Sequence, residues 1–142
     1  KEKNTNNTED IEKNLKSTIS NSIAIINSKM DEFKIADALD ELFNIFRRCN
    51  KYIDETTPWI LAKEPEKQAR LKTVLYNLIE SIRIGAVLLQ AFLPETAESI
   101  FKQINTDKTT IDTIKTFGKY DSKKVGTPVV LFQRIENDKT NR

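Results

Sequence analysis

One stretch of this 142-residue chain gathers side chains able to do chemistry: Asn50-Lys51-Tyr52-Ile53-Asp54-Glu55-Thr56-Thr57-Pro58-Trp59. An amide, a cation and an aromatic sit at the end of a helical pattern. Pro58 then forces the chain out of the helix, and the only tryptophan follows at once. An aromatic fixed beside a helix terminus offers a stacking surface to an unpaired base, worth about 1–3 kcal/mol per base. An asparagine can bond a base edge and a lysine a phosphate. The same pattern equally suits a tryptophan that plugs one end of a helical core, and both readings stand at this point.

Other chemistry is excluded by composition. With no histidine there is no Ser-His-Asp or Cys-His system, no His-zinc centre and no His general base. A single cysteine, Cys49, rules out an intrachain disulfide and a CxxC metal site. It lies on an apolar stripe, which reads as a small buried hydrophobe. No Gly-rich phosphate loop, GxSxG or HExxH occurs. Asp37, Asp40 and Glu41 share a helix face at i, i+3 and i+4, a spacing that ligates a metal or merely solvates the helix. Solvation is the expectation, and no catalytic or metal-binding residue is assigned.

The elements that must position Trp59 follow from periodicity. Ile11, Leu15, Ile19, Ile23, Ile26 and Met30 trace one helical stripe, capped by Asn7 or Thr8. Phe33, Ala36, Leu39, Leu42 with Phe43, Phe46, Cys49 and Ile53 trace a second, with Asp31 as the cap between them and Asp37, Asp40, Glu41, Arg47, Arg48 and Lys51 on the outer face. The second helix fails at Thr57, which precedes a proline. Pro65 opens a third helix of up to 25 residues through Leu71, Leu78, Ile82 and Leu89, where Gly85 marks a close helix approach. Pro94 opens a fourth through Ala97, Ile100, Phe101 and Ile104. Beyond Asn105 the period is lost, and Val129–Phe132 is at most a short extended segment. The expected fold is all-α: an up-down bundle of about four helices with an irregular C-terminal extension. Residues 1–8 read as a disordered linker, 9–106 as the helical domain and 107–142 as the extension.

Charge adds little. The chain carries a net +2, and Lys115–Arg142 holds seven Lys/Arg against three Asp/Glu, a mildly basic tail. No apolar run has the roughly 20 residues of a membrane span. The start, Lys-Glu-Lys-Asn-Thr-Asn-Asn, has neither Met nor a signal-peptide pattern and reads as the interior of a longer chain. The lone cysteine fits a reducing compartment or is neutral on the point.

The string from Asn50 to Lys63 resembles the NKYIDExxPWxLAK signature of bacterial methionyl-tRNA synthetases. In the same order, Arg70-Leu71 through Tyr76-Asn77-Leu78 to Glu80 and Arg83 is similar to the family's RLxxVLYxLxExLR helix. Leu88–Pro94 resembles its LLxPFxP turn, with Ala91 where proline is usual. Phe117-Gly118 through Lys124-Val125 to Leu131–Glu136 resembles its closing G…KV…LFPRID segment, with Gln133 in place of proline. The resemblance spans roughly residues 10–136 and implies the helical domain that reads the CAU anticodon, in an enzyme that uses ATP to join methionine to its tRNA. The HIGH and KMSKS catalytic motifs are absent, so this piece is expected to be inactive alone, with no cofactor of its own. Trp59 maps to the family's anticodon-stacking tryptophan, and Pro58 fixes its approach. Asn50, Tyr52 and Lys63 are further candidate contacts, each with a structural alternative, and Arg83 is expected to pair with an acid as scaffold. The family's other readers, an asparagine and an arginine, belong to a helix expected to precede Lys1. The implied partners are methionine tRNA and the catalytic domain, with no membrane, in the cytoplasm. The alternatives are the anticodon domain of a valyl-, leucyl- or isoleucyl-tRNA synthetase, or a helical protein-interaction module.

Overall fold

The computed structural model describes the backbone of residues 3–118 and the side chains of residues 10–118. These residues form five α-helices and no strand: α1 (Lys3–Asp31), α2 (Ile35–Thr56), α3 (Pro58–Leu61), α4 (Gln68–Leu89) and α5 (Pro94–Ile104). Short 3-10 turns occupy Pro65–Lys67 and Ile111–Ile114. The all-α class is as expected. The chain divides into two compact units, Lys1–Thr56 and Thr57–Arg142.

The first unit is a hairpin of α1 on α2. Its seam is Leu15, Ile19, Ser22 and Ile26 from α1, with Ala38, Leu42, Ile45, Cys49 and Tyr52 from α2, all buried. Steps alternating between three and four residues keep both rows on facing sides, as in a coiled-coil seam. This differs from the expected stripes. Ser22 rather than Ile23 is buried, and α2 is rotated so that Ile45, not Phe46, faces inward. Phe33, the first member of the expected stripe, lies outside the helix. Polar ties cross the seam. Ser22 Oγ donates to Glu41 Oε1 at 2.8 Å, Arg48 Nε to Asn14 Oδ1 at 2.9 Å, and Tyr52 OH to Glu12 Oε2 at 2.5 Å. Burial pushes the Cys49 thiol up to about 12, so it stays protonated and inert.

Two expectations for this unit are corrected. Helical backbone starts at Lys3. Residues 3–8, read as a disordered linker, therefore extend α1, and Asn7 and Thr8 are not caps. No Gly or Pro interrupts 3–31, so the helix extends ahead of Ile11, its first apolar position, without meeting a breaker. Asp31 is the last residue of α1 rather than a cap. The hairpin turns instead at Phe33, in the left-handed region at φ 59°, with Phe33 N–H donating to Met30 O at 3.0 Å and Lys34 N–H to Lys29 O at 2.8 Å. Phe33 is 87% exposed, so its ring gives little in return for that backbone. Left-handed geometry costs a non-glycine residue about 1–2 kcal/mol. Phe33→Gly is therefore expected to raise stability by up to about 1 kcal/mol after its own entropy cost, read as a higher urea midpoint.

The second unit is organised around α4, buried all round from Asn77 to Leu89. Helix α5, the short α3 and the turn Ile111–Ile114 pack against it. The expected third helix begins at Gln68, because Pro65 opens a 3-10 turn and not the helix itself. Gly85 lies within the buried run, and Pro94 starts α5 as its ring geometry favours. After α5 the chain returns along α4. Tyr76 OH donates to Gly118 O at 2.7 Å, and Gln90 Nε2 to Thr109 O at 2.6 Å. Arg83 pairs with Glu80, as expected of a scaffold residue. The expected extended segment at 129–132 lies outside the described residues.

Candidate nucleic-acid interface

The residues before Trp59 end one helix and start another. α2 ends at Thr56, whose Oγ1 donates to Tyr52 O at 2.8 Å. Thr57 then takes φ 45°, ψ 61°, the left-handed conformation. The following proline bars an α-helical Thr57, so the chain cannot run on. Pro58, with its fixed φ, opens the single turn of α3. Thr57 O accepts from Ile60 N–H at 3.0 Å and Leu61 N–H at 3.2 Å, and Pro58 O accepts from Ala62 N–H at 2.9 Å. Gln68 at the start of α4 donates from Nε2 to Glu64 O at 3.0 Å, closing the link from α3.

This turn splits its side chains. Pro58 and Leu61 are buried and pack the turn down. Trp59 is 38% exposed and Ile60 46% exposed. The indole is therefore partly covered and partly accessible. Lys63 follows in the next turn and is exposed, within a few residues of the indole along the chain.

The other candidates divide differently. Tyr52 is fully buried in the first unit with its hydroxyl on Glu12, so it is corrected from candidate contact to core residue. Its place in the 3–4 alternation of α2 was the signal for this. Asn50 is half-buried on α2, also in the first unit. Pro58 and Lys63 share the second unit with Trp59. Among the described residues no group of three or more Cys, Asp or Glu side chains is placed to hold a metal. Of the acidic trio, Glu41 is engaged by Ser22 and by Asn44 Nδ2 at 3.1 Å. Two features escaped the sequence reading. Exposed Ile60 beside the indole carries no periodic signal in so short a helix. Arg47, held by Asn44, was read only as outer face, although Asn44, Arg47 and Lys51 share one side of α2.

The comparisons with known proteins agree on one family. The family model described as the anticodon binding domain of methionyl tRNA ligase matches residues 3–142. A methionine–tRNA ligase of Clostridium tetani is 51% identical over 115 residues, covering 78% of this chain and 18% of that protein. One of Clostridium acetobutylicum is 49% identical over 119 residues, with the same coverage. The chain thus spans about a fifth of the length of these relatives. The crystal structure of the apo form of Mycobacterium tuberculosis methionyl-tRNA synthetase superposes with a TM-score of 0.74 at 24% identity. It covers 84% of this chain and 25% of its own, a likeness of fold.

Proposed function

The chain belongs to the family of anticodon-binding domains of methionyl-tRNA ligases, and from that membership we propose that it reads the CAU anticodon of methionine tRNA on behalf of a full ligase. The observation that carries this is the half-open indole of Trp59 on a turn whose neighbours, Pro58 and Leu61, are buried. A base of the splayed anticodon loop stacks on the exposed face, and exposed Lys63 is placed to meet backbone phosphate. Pro58, with its fixed φ, and buried Leu61 hold the short turn that carries the indole, so little ordering entropy is lost on binding.

The chemistry lies elsewhere in the full protein. No histidine is present, so a HIGH motif cannot be formed from this chain. Methionine activation by ATP, and the transfer to tRNA, belong to a catalytic domain with which this piece works, in the cytoplasm. The described residues contain no helix long and apolar enough to cross a membrane. This piece needs no cofactor for its readout.

The test is a titration with RNA stem-loops carrying CAU, GAU or CAC. The CAU loop is expected to bind most tightly, and every affinity is expected to fall as salt rises from about 50 to 200 mM, because bound phosphates release counterions. Equal binding of the three loops overturns anticodon readout. An affinity flat across that salt range overturns RNA binding.

A further inference from the structure

The polar face of α2 carries an arginine held ready for an anion. Arg47 is exposed, and its guanidinium is anchored on neutral oxygens. Nε donates to Asn44 Oδ1 at 3.1 Å, and Nη2 donates to the same oxygen at 2.5 Å and to Asp40 O at 3.4 Å. Asn44 is itself held. Its Nδ2 donates to Glu41 Oε2 at 3.1 Å, and the other oxygen of Glu41 accepts from Ser22 Oγ at 2.8 Å. Glu41 only accepts and Arg47 only donates, so the amide between them has one workable orientation. Ser22 is buried in the hairpin seam, which roots the whole relay in the core of the first unit.

This relay fixes a positive charge without neutralising it. Among the described residues Arg47 forms no ion pair, whereas its neighbour Arg48 is buried and bonded to Glu55 Oε1 at 2.6 Å. The relay uses Nε and Nη2 and leaves the two N–H groups of Nη1 to donate. Lys51, exposed one turn further on, puts a second cation on the same side. Like charges at i and i+4 repel on a bare helix, so the pair is an arrangement that an anion would relieve. The negative end of α2 opposes an anion only within its last turn, and Lys51 lies ahead of it.

We propose that Arg47 and Lys51 form a phosphate-binding strip on α2 that grips the sugar–phosphate backbone of the anticodon stem-loop. Arg47 donates both Nη1 hydrogens to one phosphate, and Lys51 acts as a point charge on a neighbouring one. Asn44 is a positioning residue that holds the guanidinium in plane. The strip rests on the RNA-binding reading above, and it contributes affinity that does not depend on base identity.

The test is fluorescence anisotropy of labelled CAU and GAU stem-loops with the protein and its Arg47→Gln, Lys51→Gln and Asn44→Ala variants. All three sites are polar and outside the hydrophobic seam, and far-UV circular dichroism checks that the helices persist. Arg47→Gln is expected to weaken binding about tenfold at low salt. It and Lys51→Gln are each expected to reduce the slope of log affinity against log salt by about one unit, equally for both loops. Asn44→Ala is expected to weaken binding while leaving that slope unchanged, because the charge remains. If the wild type binds and Arg47→Gln keeps both its affinity and its slope, the strip is overturned while anticodon readout stands. If the wild type binds neither loop, the RNA reading fails and the strip with it.

Discussion

Replacing Arg83 by alanine is expected to lower the unfolding free energy by about 3–5 kcal/mol, the cost of breaking a buried ion pair by removing one partner. Arg83 is 3% exposed and spends every N–H donor it has. Nε meets Glu80 Oε2 at 3.1 Å, and Nη2 meets Glu80 Oε1 at 2.5 Å and Thr113 O at 3.0 Å. Nη1 meets Lys108 O at 3.0 Å and Thr113 Oγ1 at 2.8 Å. One side chain thus neutralises a buried carboxylate on α4 and satisfies two carbonyls of the returning segment. Alanine leaves Glu80, itself 3% exposed, as a buried charge without its counter-ion. Arg83→Lys restores the charge but not the five-donor fork, so it is expected to recover only part of the loss. The double variant Glu80→Leu/Arg83→Met removes both charges and is expected to be more stable than Arg83→Ala. Urea unfolding ranks the three. Hydrogen exchange locates the effect, with amides of residues 107–115 expected to lose protection first. An Arg83→Ala protein within about 1 kcal/mol of the wild type would show that this cluster behaves as a solvated surface pair.

Trp59→Ala is expected to weaken binding of a CAU stem-loop by about 1–3 kcal/mol, roughly 5- to 150-fold, and to leave helical content unchanged. The indole is more exposed than a core side chain, so its truncation forfeits less than the roughly 3–5 kcal/mol of a fully buried aromatic. Buried Pro58 and Leu61 continue to seat α3. Trp59→Phe retains a stacking face and is expected to recover part of the affinity. Because the chain has one tryptophan, its emission reports on this position alone, and a stacked base is expected to quench it. The salt slope supplies a separate check, since removing a stacking group leaves phosphate contacts in place. A Trp59→Ala protein that binds RNA as tightly as the wild type, with helices intact, would remove the indole from the reading surface. One that unfolds would place Trp59 among the supports of the core.

Much of this was legible in the linear order of residues because the relevant physics is local. A proline disfavours helical backbone at its predecessor, so the end of α2 follows from Thr57-Pro58, while the left-handed turn that Thr57 takes there does not. Pro94 likewise opens α5, the spaced apolar pattern predicts the helices of the described residues, and the absence of histidine closes whole classes of catalysis. The family, too, is carried by the ordered string from Asn50 to Lys63. What required the folded molecule is whatever depends on partners distant in the chain. The rotation of α2 is one such case: Phe33 continues the apolar stripe in sequence, yet it forms an exposed left-handed hinge, a geometry no apolar pattern announces. Tyr52 and Trp59 are both aromatic and seven residues apart. Only packing sends one wholly inside, onto Glu12, and leaves the other more than a third exposed. Arg47 and Arg48 are consecutive and chemically identical. Helical rotation turns one into the seam, where Asn14 and Glu55 consume it, and the other outward on an asparagine that leaves its charge unspent. Burial and pairing are properties of neighbours in space, so side chains of the same type diverge in role only once the fold has chosen those neighbours.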